Sequence, residues 1–176
     1  MIRQKAAAMS AQHPPSKAEQ PNTGRPGVSL HLGGLAEGTQ ILTAKGLVAV
    51  DDIQAGDRLV TRERGMQRVA FVTQRLLPSG EVLRIKPHAL GGSAKDPCLI
   101  VAPSQRVLLR DWRAKAMFGR SIALVQARKL ADGELIARRP ARNLRLYSIH
   151  FDAELVIYAG GIEVGSATPV TAFLKS

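Results

Sequence analysis

Apolar residues along this chain fall in short runs, often alternating with polar ones, and glycine, proline or paired acidic residues break the runs every few positions. Alternation with a period of two marks a strand with one buried face. Gln40 to Ala44 and Leu47 to Val50 flank Lys45-Gly46, which predicts a hairpin. Asp51-Asp52 opens a tight turn that closes at Gly56-Asp57, and Arg58 to Thr61 resumes extended structure. Met66 to Leu76 predicts one longer strand with Val69, Phe71 and Thr73 on a common face, and Glu81 to Ile85 predicts another. Pro87 to Pro97 is a Gly/Pro-rich loop. Cys98 to Ala102 and Gln105 to Arg110 follow as apolar runs parted by Pro103-Ser104. Ile122 to Val125 is short and apolar, and Gln126 to Leu130 reads as one helical turn ended by Asp132-Gly133. Leu144 to Phe151, Leu155 to Tyr158 and Ile162 to Val164 close the pattern, with Gly160-Gly161 as a hairpin turn. The expectation is an all-β domain of about ten short strands.

The first 33 residues follow no such pattern. Pro14, Pro15, Pro21 and Pro26 discourage helix and sheet, so 1–33 reads as a disordered Pro/Ala/Gln-rich tail and 34–176 as the β domain. A chain of 176 residues suffices for one domain with a substantial core. With 45% hydrophobic but only 4% aromatic residues, that core must rest on Val, Ile, Leu and Ala.

Charge widens the list of partners. Twenty-five Lys and Arg against 14 Asp and Glu give a net charge of +11, which attracts nucleic acid, acidic lipid or an acidic protein. The plainer reading is that scattered charges only solvate the fold. The densest basic run, Arg138, Arg139, Arg142 and Arg145, is interrupted by Pro140 and reads as a loop leading into a strand. The single Cys98 excludes an intrachain disulfide, and its setting beside Leu99-Ile100-Val101 reads as a buried core thiol. His13, His31, His88 and His150 show no metal-ligand spacing, so neither metal nor cofactor is expected. The N-terminus lacks the apolar stretch of a secretory signal, and no window approaches a membrane span. The expected location is the cytoplasm, with export by a non-classical route left open.

Two blocks carry a family resemblance. Gly38-Thr39-Gln40-Ile41-Leu42-Thr43-Ala44-Lys45-Gly46, followed by Val50-Asp51-Asp52-Ile53-Gln54-Ala55-Gly56-Asp57-Arg58-Leu59-Val60-Thr61, resembles the N-terminal block of Hint (Hedgehog/intein) domains. Gly46 and Gly56 allow turn conformations that other residues resist, and Asp52 and Asp57 read as turn-formers. Leu99 to Leu109 resembles the block in which the family carries a Thr or Ser and a His, closest to a bacterial branch with a Ser-Pro-x-His-Arg pattern. Phe118-Gly119, Val125 to Leu130, and Tyr147 to Ser166 are similar to later family segments. The resemblance implies a horseshoe-like Hint fold and autocatalytic cleavage or splicing of the chain itself.

That chemistry starts when a Cys or Ser attacks the carbonyl of the preceding residue. It needs a proton donor for the departing amide, a task suited to His, and polar groups for the oxyanion. Aligned on Gly38-Thr39, the resemblance puts the nucleophile position at Gly34, the Thr/Ser position at Ala102, the His position at Gln105 and a further His position at Glu154. None of the four carries the family's group. Ser29 and Thr39 lie out of register with the Gly33-Gly34 bond, and His150 reads as a structural histidine more than a general base. Three functions follow: a non-catalytic scaffold or binding module with an unidentified protein partner, an atypical domain cleaving near Gly33-Gly34, or a basic polyanion-binding module.

Overall fold

The structure is a computed structural model and describes residues 33 to 167. The chain divides into Met1–Leu30 and His31–Ser176. The expected disordered tail lies outside the described residues except for Gly33.

Twelve strands and one helix form the described part. They are β1 (Leu35–Ala36), β2 (Gln40–Thr43), β3 (Gly46–Ala49), β4 (Arg58–Thr61), β5 (Gly65–Arg68), β6 (Phe71–Ile85), β7 (Leu99–Val101), β8 (Arg106–Leu109), α1 (Trp112–Phe118), β9 (Ala123–Gln126), β10 (Ile136–His150), β11 (Val156–Ala159) and β12 (Ile162–Gly165). β1, β10, β6 and β7 close on one another as a small barrel, and the other eight strands form a second sheet. The all-β expectation therefore holds. No helix among the described residues is long and apolar enough to cross a membrane.

The first hairpin pairs Gln40 with Ala49 and Thr43 with Gly46, and Gly46 takes a φ of +101° that its missing Cβ permits. Gly38 and Gly56 likewise adopt positive φ. Asp57 closes its own turn by accepting from the Gln54 N–H at 2.8 Å. The carboxylate that joins this turn to the start of β2 is that of Asp51, which accepts from the Gly38 N–H at 2.7 Å. Asp52 ends the neighbouring 3-10 turn and is exposed.

Four expectations need correction. The stretch Met66 to Leu76 is not one strand. Val69 exchanges hydrogen bonds with Gly56 and Asp57, whereas Ala70 bonds to His150, so the backbone changes partner there and β5 ends before β6 begins. Thr73 is consequently exposed, and Val72 packs on the core instead. Glu81 to Ile85 is the end of a 15-residue strand that runs through Pro78. The run Arg138 to Arg145 is no loop; it lies in β10, paired with β6 from Ile136↔Ile85 to His150↔Phe71. Pro140 is tolerated because β10 has a partner on only one side there, so a missing N–H on the open edge breaks no ladder bond. Cys98 is exposed, because alternation turns Leu99 and Val101 inward. Helix α1 has no counterpart in the strand pattern; Asp111 caps it and Gly119, at φ +67°, ends it.

The main core gathers Ile41, Leu59, Leu83, Ile85, Val107, Ile136, Phe151 and Val164, each at 3% exposure or less. Burying such a side chain stabilises by about 1.5–3 kcal/mol. A satellite cluster of Ala36, Ala102 and Leu146, with Leu77, Ile100 and Leu144 against it, packs beside β1. This satellite forms the surroundings of Gly34.

Candidate functional site

The Gly33–Gly34 peptide bond immediately precedes β1, and three elements converge on it. Ala102 follows β7, and its N–H donates to the Gly34 carbonyl at 2.8 Å. Gln105 precedes β8 and is held by its own N–H on the Ala102 carbonyl at 2.9 Å and by the Ala127 N–H on its carbonyl at 2.8 Å. Ser148 comes from β10 and donates its hydroxyl to the Gly33 carbonyl at 3.0 Å. The structure thus brings Gly34, Ala102 and Gln105 together.

Gln105 organises this cluster. It is 5% exposed, and its Oε1 accepts from the Gly34 N–H at 2.9 Å. Its Nε2 donates to the carbonyls of Gly165 at 2.7 Å and Arg106 at 2.9 Å. Two carbonyl acceptors on one side and one N–H donor on the other fix which end of the amide is which. The Gly34 nitrogen therefore faces an acceptor oxygen rather than a group able to give it a proton.

Space around Gly34 is limited. A Cβ built there would lie 3.1 Å from Cβ of Leu146 and 3.7 Å from Cβ of Ala102. A Cβ on Gly33 would lie against Oε1 of Gln105 and displace it. Both glycines are thus matched to the side chains beside them. The carbonyl side of the same bond is polar: the Ser148 hydroxyl is placed to polarise the Gly33 carbonyl, in the manner of an oxyanion donor.

The remaining candidates lie elsewhere in the network. Glu154 pairs with Arg106 at 2.7 Å. Thr39 gives its hydroxyl to the Ala36 carbonyl at 2.7 Å, inside its own turn. His150 is 5% exposed, stacks on Phe71 with ring centroids 4.1 Å apart, and has Nε2 at 3.0 Å from the Thr73 hydroxyl. Ser29 lies outside the described residues. Among the described residues, no three His, Cys, Asp or Glu side chains come together as metal ligands would.

Sequence reasoning passed over Ser148 as a site residue. Its only local signal is its place in the alternating run Leu146-Tyr147-Ser148-Ile149-His150; nothing local says that this strand crosses the start of β1.

The Hint domain family matches the chain over residues 34–171. Among solved structures, the chain is similar to a bacterial intein-like domain from Clostridium thermocellum, at 20% identity and a TM-score of 0.53 over 77% of this chain and 98% of that one. It is also similar to a DnaB intein from Synechocystis sp. PCC 6803, at 10% identity and a TM-score of 0.51 over 77% of this chain and 99% of that one. Likeness at such identities is a likeness of fold. No curated protein matches the chain.

Proposed function

The chain belongs to the Hint domain family, matched from residue 34 to residue 171, and on that premise we propose that it keeps the family's framework without its self-cleaving chemistry and serves as a structural or binding module. The carrying observation is the packing at Gly34. The residue after the candidate scissile bond has no side chain, and Leu146 stands where a nucleophile's Cβ would need room. An acyl shift from nitrogen to sulfur or oxygen needs an attacking atom on that residue. Gln105 supports the same reading, because its oxygen accepts from the Gly34 N–H and its nitrogen is committed to two carbonyls. Ala102 adds only a methyl group. Glu154, engaged with Arg106, stabilises a surface contact instead of handling a proton.

An atypical autoprocessing domain would need another nucleophile at the Gly33 carbonyl carbon. The hydroxyl close by belongs to Ser148, and it donates to the carbonyl oxygen. A hydroxyl so engaged polarises the carbonyl; attack would require it to swing from the oxygen to the carbon.

Intact mass of the purified chain, taken before and after prolonged incubation with a small thiol and with hydroxylamine, tests the proposal. One unfragmented species is expected throughout. A fragment beginning at or next to Gly34 would overturn it.

A further inference from the structure

The arginines that sequence reading assigned to a loop share one piece of structure. β6 and β10 pair along their whole length, but in the middle, over residues 73–81 and 138–144, each has only the other as a neighbour, and just beyond, the Arg145 carbonyl also accepts from the Glu37 N–H. Nearly all side chains there are exposed on both faces; Leu77, Ala141 and Leu144 are half-buried. This stretch carries Arg75, Arg138, Arg139, Arg142 and, at its end, Arg145, and its single acid is Glu81. Glu81 pairs with Arg138 at 2.5 Å, and Glu37, from outside the stretch, reaches Arg145 at 3.8 Å. Among the described residues, Arg75, Arg139 and Arg142 have no ion pair. By the register, Arg139 and Arg145 lie on one face and Arg75, Arg138 and Arg142 on the other. From Arg138 to Arg145 the strand advances about 23 Å.

We propose that the middle of the β6–β10 ribbon is a phosphate-binding surface for duplex nucleic acid, an inference that rests on the reading of the chain as a binding module. Three features favour this occupant. Every cation on the stretch is arginine, whose planar fork meets phosphate oxygens bidentately. A two-stranded ribbon is narrow enough to enter a major groove about 12 Å wide. Residues 73–81 and 138–146 hold no Phe, Tyr or Trp, so the stretch lacks the stacking platform that single strands use. A membrane surface fits less well, because Leu76 is the one large apolar residue exposed on the stretch, while Trp112, Met117 and Ile122 lie on other segments. Charge and proline also guard open strand edges against pairing with another sheet. That role needs only some charge of either sign. Five arginines against one glutamate exceed it.

The test is fluorescence anisotropy of a labelled 20-base-pair mixed-sequence DNA duplex with the full chain, across 50 to 200 mM salt. With three to five phosphate contacts, log K is expected to fall against log salt with a slope of about −3 to −4.5. The variant Arg75→Gln/Arg139→Gln/Arg142→Gln is expected to bind at least about tenfold more weakly and to flatten the slope by about 2.7. Arg58→Gln/Arg120→Gln/Arg128→Gln removes equal charge elsewhere and is expected to leave the slope within about one unit of the native value. Hydrogen exchange of the native protein adds a readout that needs no variant, with duplex-induced protection expected over 73–81 and 138–145. Failure to bind at 50 mM salt, equal loss in both triple variants, or protection elsewhere would overturn the proposal. So would capture by vesicles of anionic lipid in preference to the duplex. Intact mass of the same preparation separates these outcomes from failure of the non-cleaving reading, which only a cleaved chain would contradict.

Discussion

Gln105 shows how one buried side chain can tie three segments of a fold together. Its amide joins the segment before β1, the start of β8 and the end of β12 through Gly34, Arg106 and Gly165. A buried donor or acceptor left without a partner costs about 1–3 kcal/mol. Gln105→Leu strands the Gly34 N–H and the Gly165 carbonyl together, so equilibrium urea unfolding is expected to show a loss of about 2–4 kcal/mol. A loss within about 0.5 kcal/mol would mean that water serves those groups instead. Gly34→Cys is expected to cost about 1–2 kcal/mol by crowding Leu146, as overpacking does. In a double-mutant cycle, Leu146→Ala should make the cysteine cheaper to accommodate, giving a coupling that two independent sites would lack. If the crowding is what prevents reaction, Gly34→Cys/Gln105→His/Leu146→Ala is the combination in which thiol-dependent cleavage next to residue 34 is expected to show in the intact mass.

Among the elements, the turn at Asp132 and the helix cap at Asp111 carry the clearest dependence on pH. Partial burial pushes the Asp132 carboxyl up, but the backbone N–H groups of Ile136, Glu134 and Leu135, at 2.8–2.9 Å, outweigh it and hold the pKa below its ordinary value. Asp111 is lowered chiefly by the Arg113 side chain. A carboxyl with a depressed folded-state pKa contributes stability that is fully present above its unfolded value, near 3.8, and is lost as pH falls through the folded value. Native stability is therefore expected to decline below about pH 4, and Asp132→Asn is expected to lower stability at pH 7 and, by the same amount, to flatten that decline. Identical acid limbs for variant and native protein would contradict the assignment. Asp111→Ala removes the side-chain oxygen that accepts from the Arg113 N–H and is expected to cost about 1 kcal/mol. The β6–β10 ribbon gives a third expectation at this scale. Its middle has single-sided pairing and scant burial, so its amides should exchange faster than those of Leu83 to Ile85 or Leu146 to Ile149, which are tied to the cores. Uniform protection along both strands would refute that.

For the whole molecule, local patterning and long-range assembly contributed differently. Alternation and turn residues were enough to announce an all-β chain, to delimit β4 from Arg58 to Thr61, and to place hairpins at Lys45-Gly46 and Gly160-Gly161, because strand periodicity and positive-φ turns are written in neighbouring residues. The order of the family's blocks likewise marked Gly34, Ala102 and Gln105, which the fold then brings into one cluster. Tertiary structure alone decided the rest. Val69 and Ala70 divide what looks like one strand because Val69 bonds to the turn before β4 whereas Ala70 bonds to the end of β10. Pro140 sits inside a strand because its open edge asks for no N–H. Cys98 faces solvent because its neighbours took the core, and Ser148 reaches the Gly33 carbonyl because β10 crosses the start of β1. The partners that settle the Val69–Ala70 break and the place of Ser148, among them His150 and Gly33, lie about 80 and 115 residues away in the chain, a distance that period and propensity do not span.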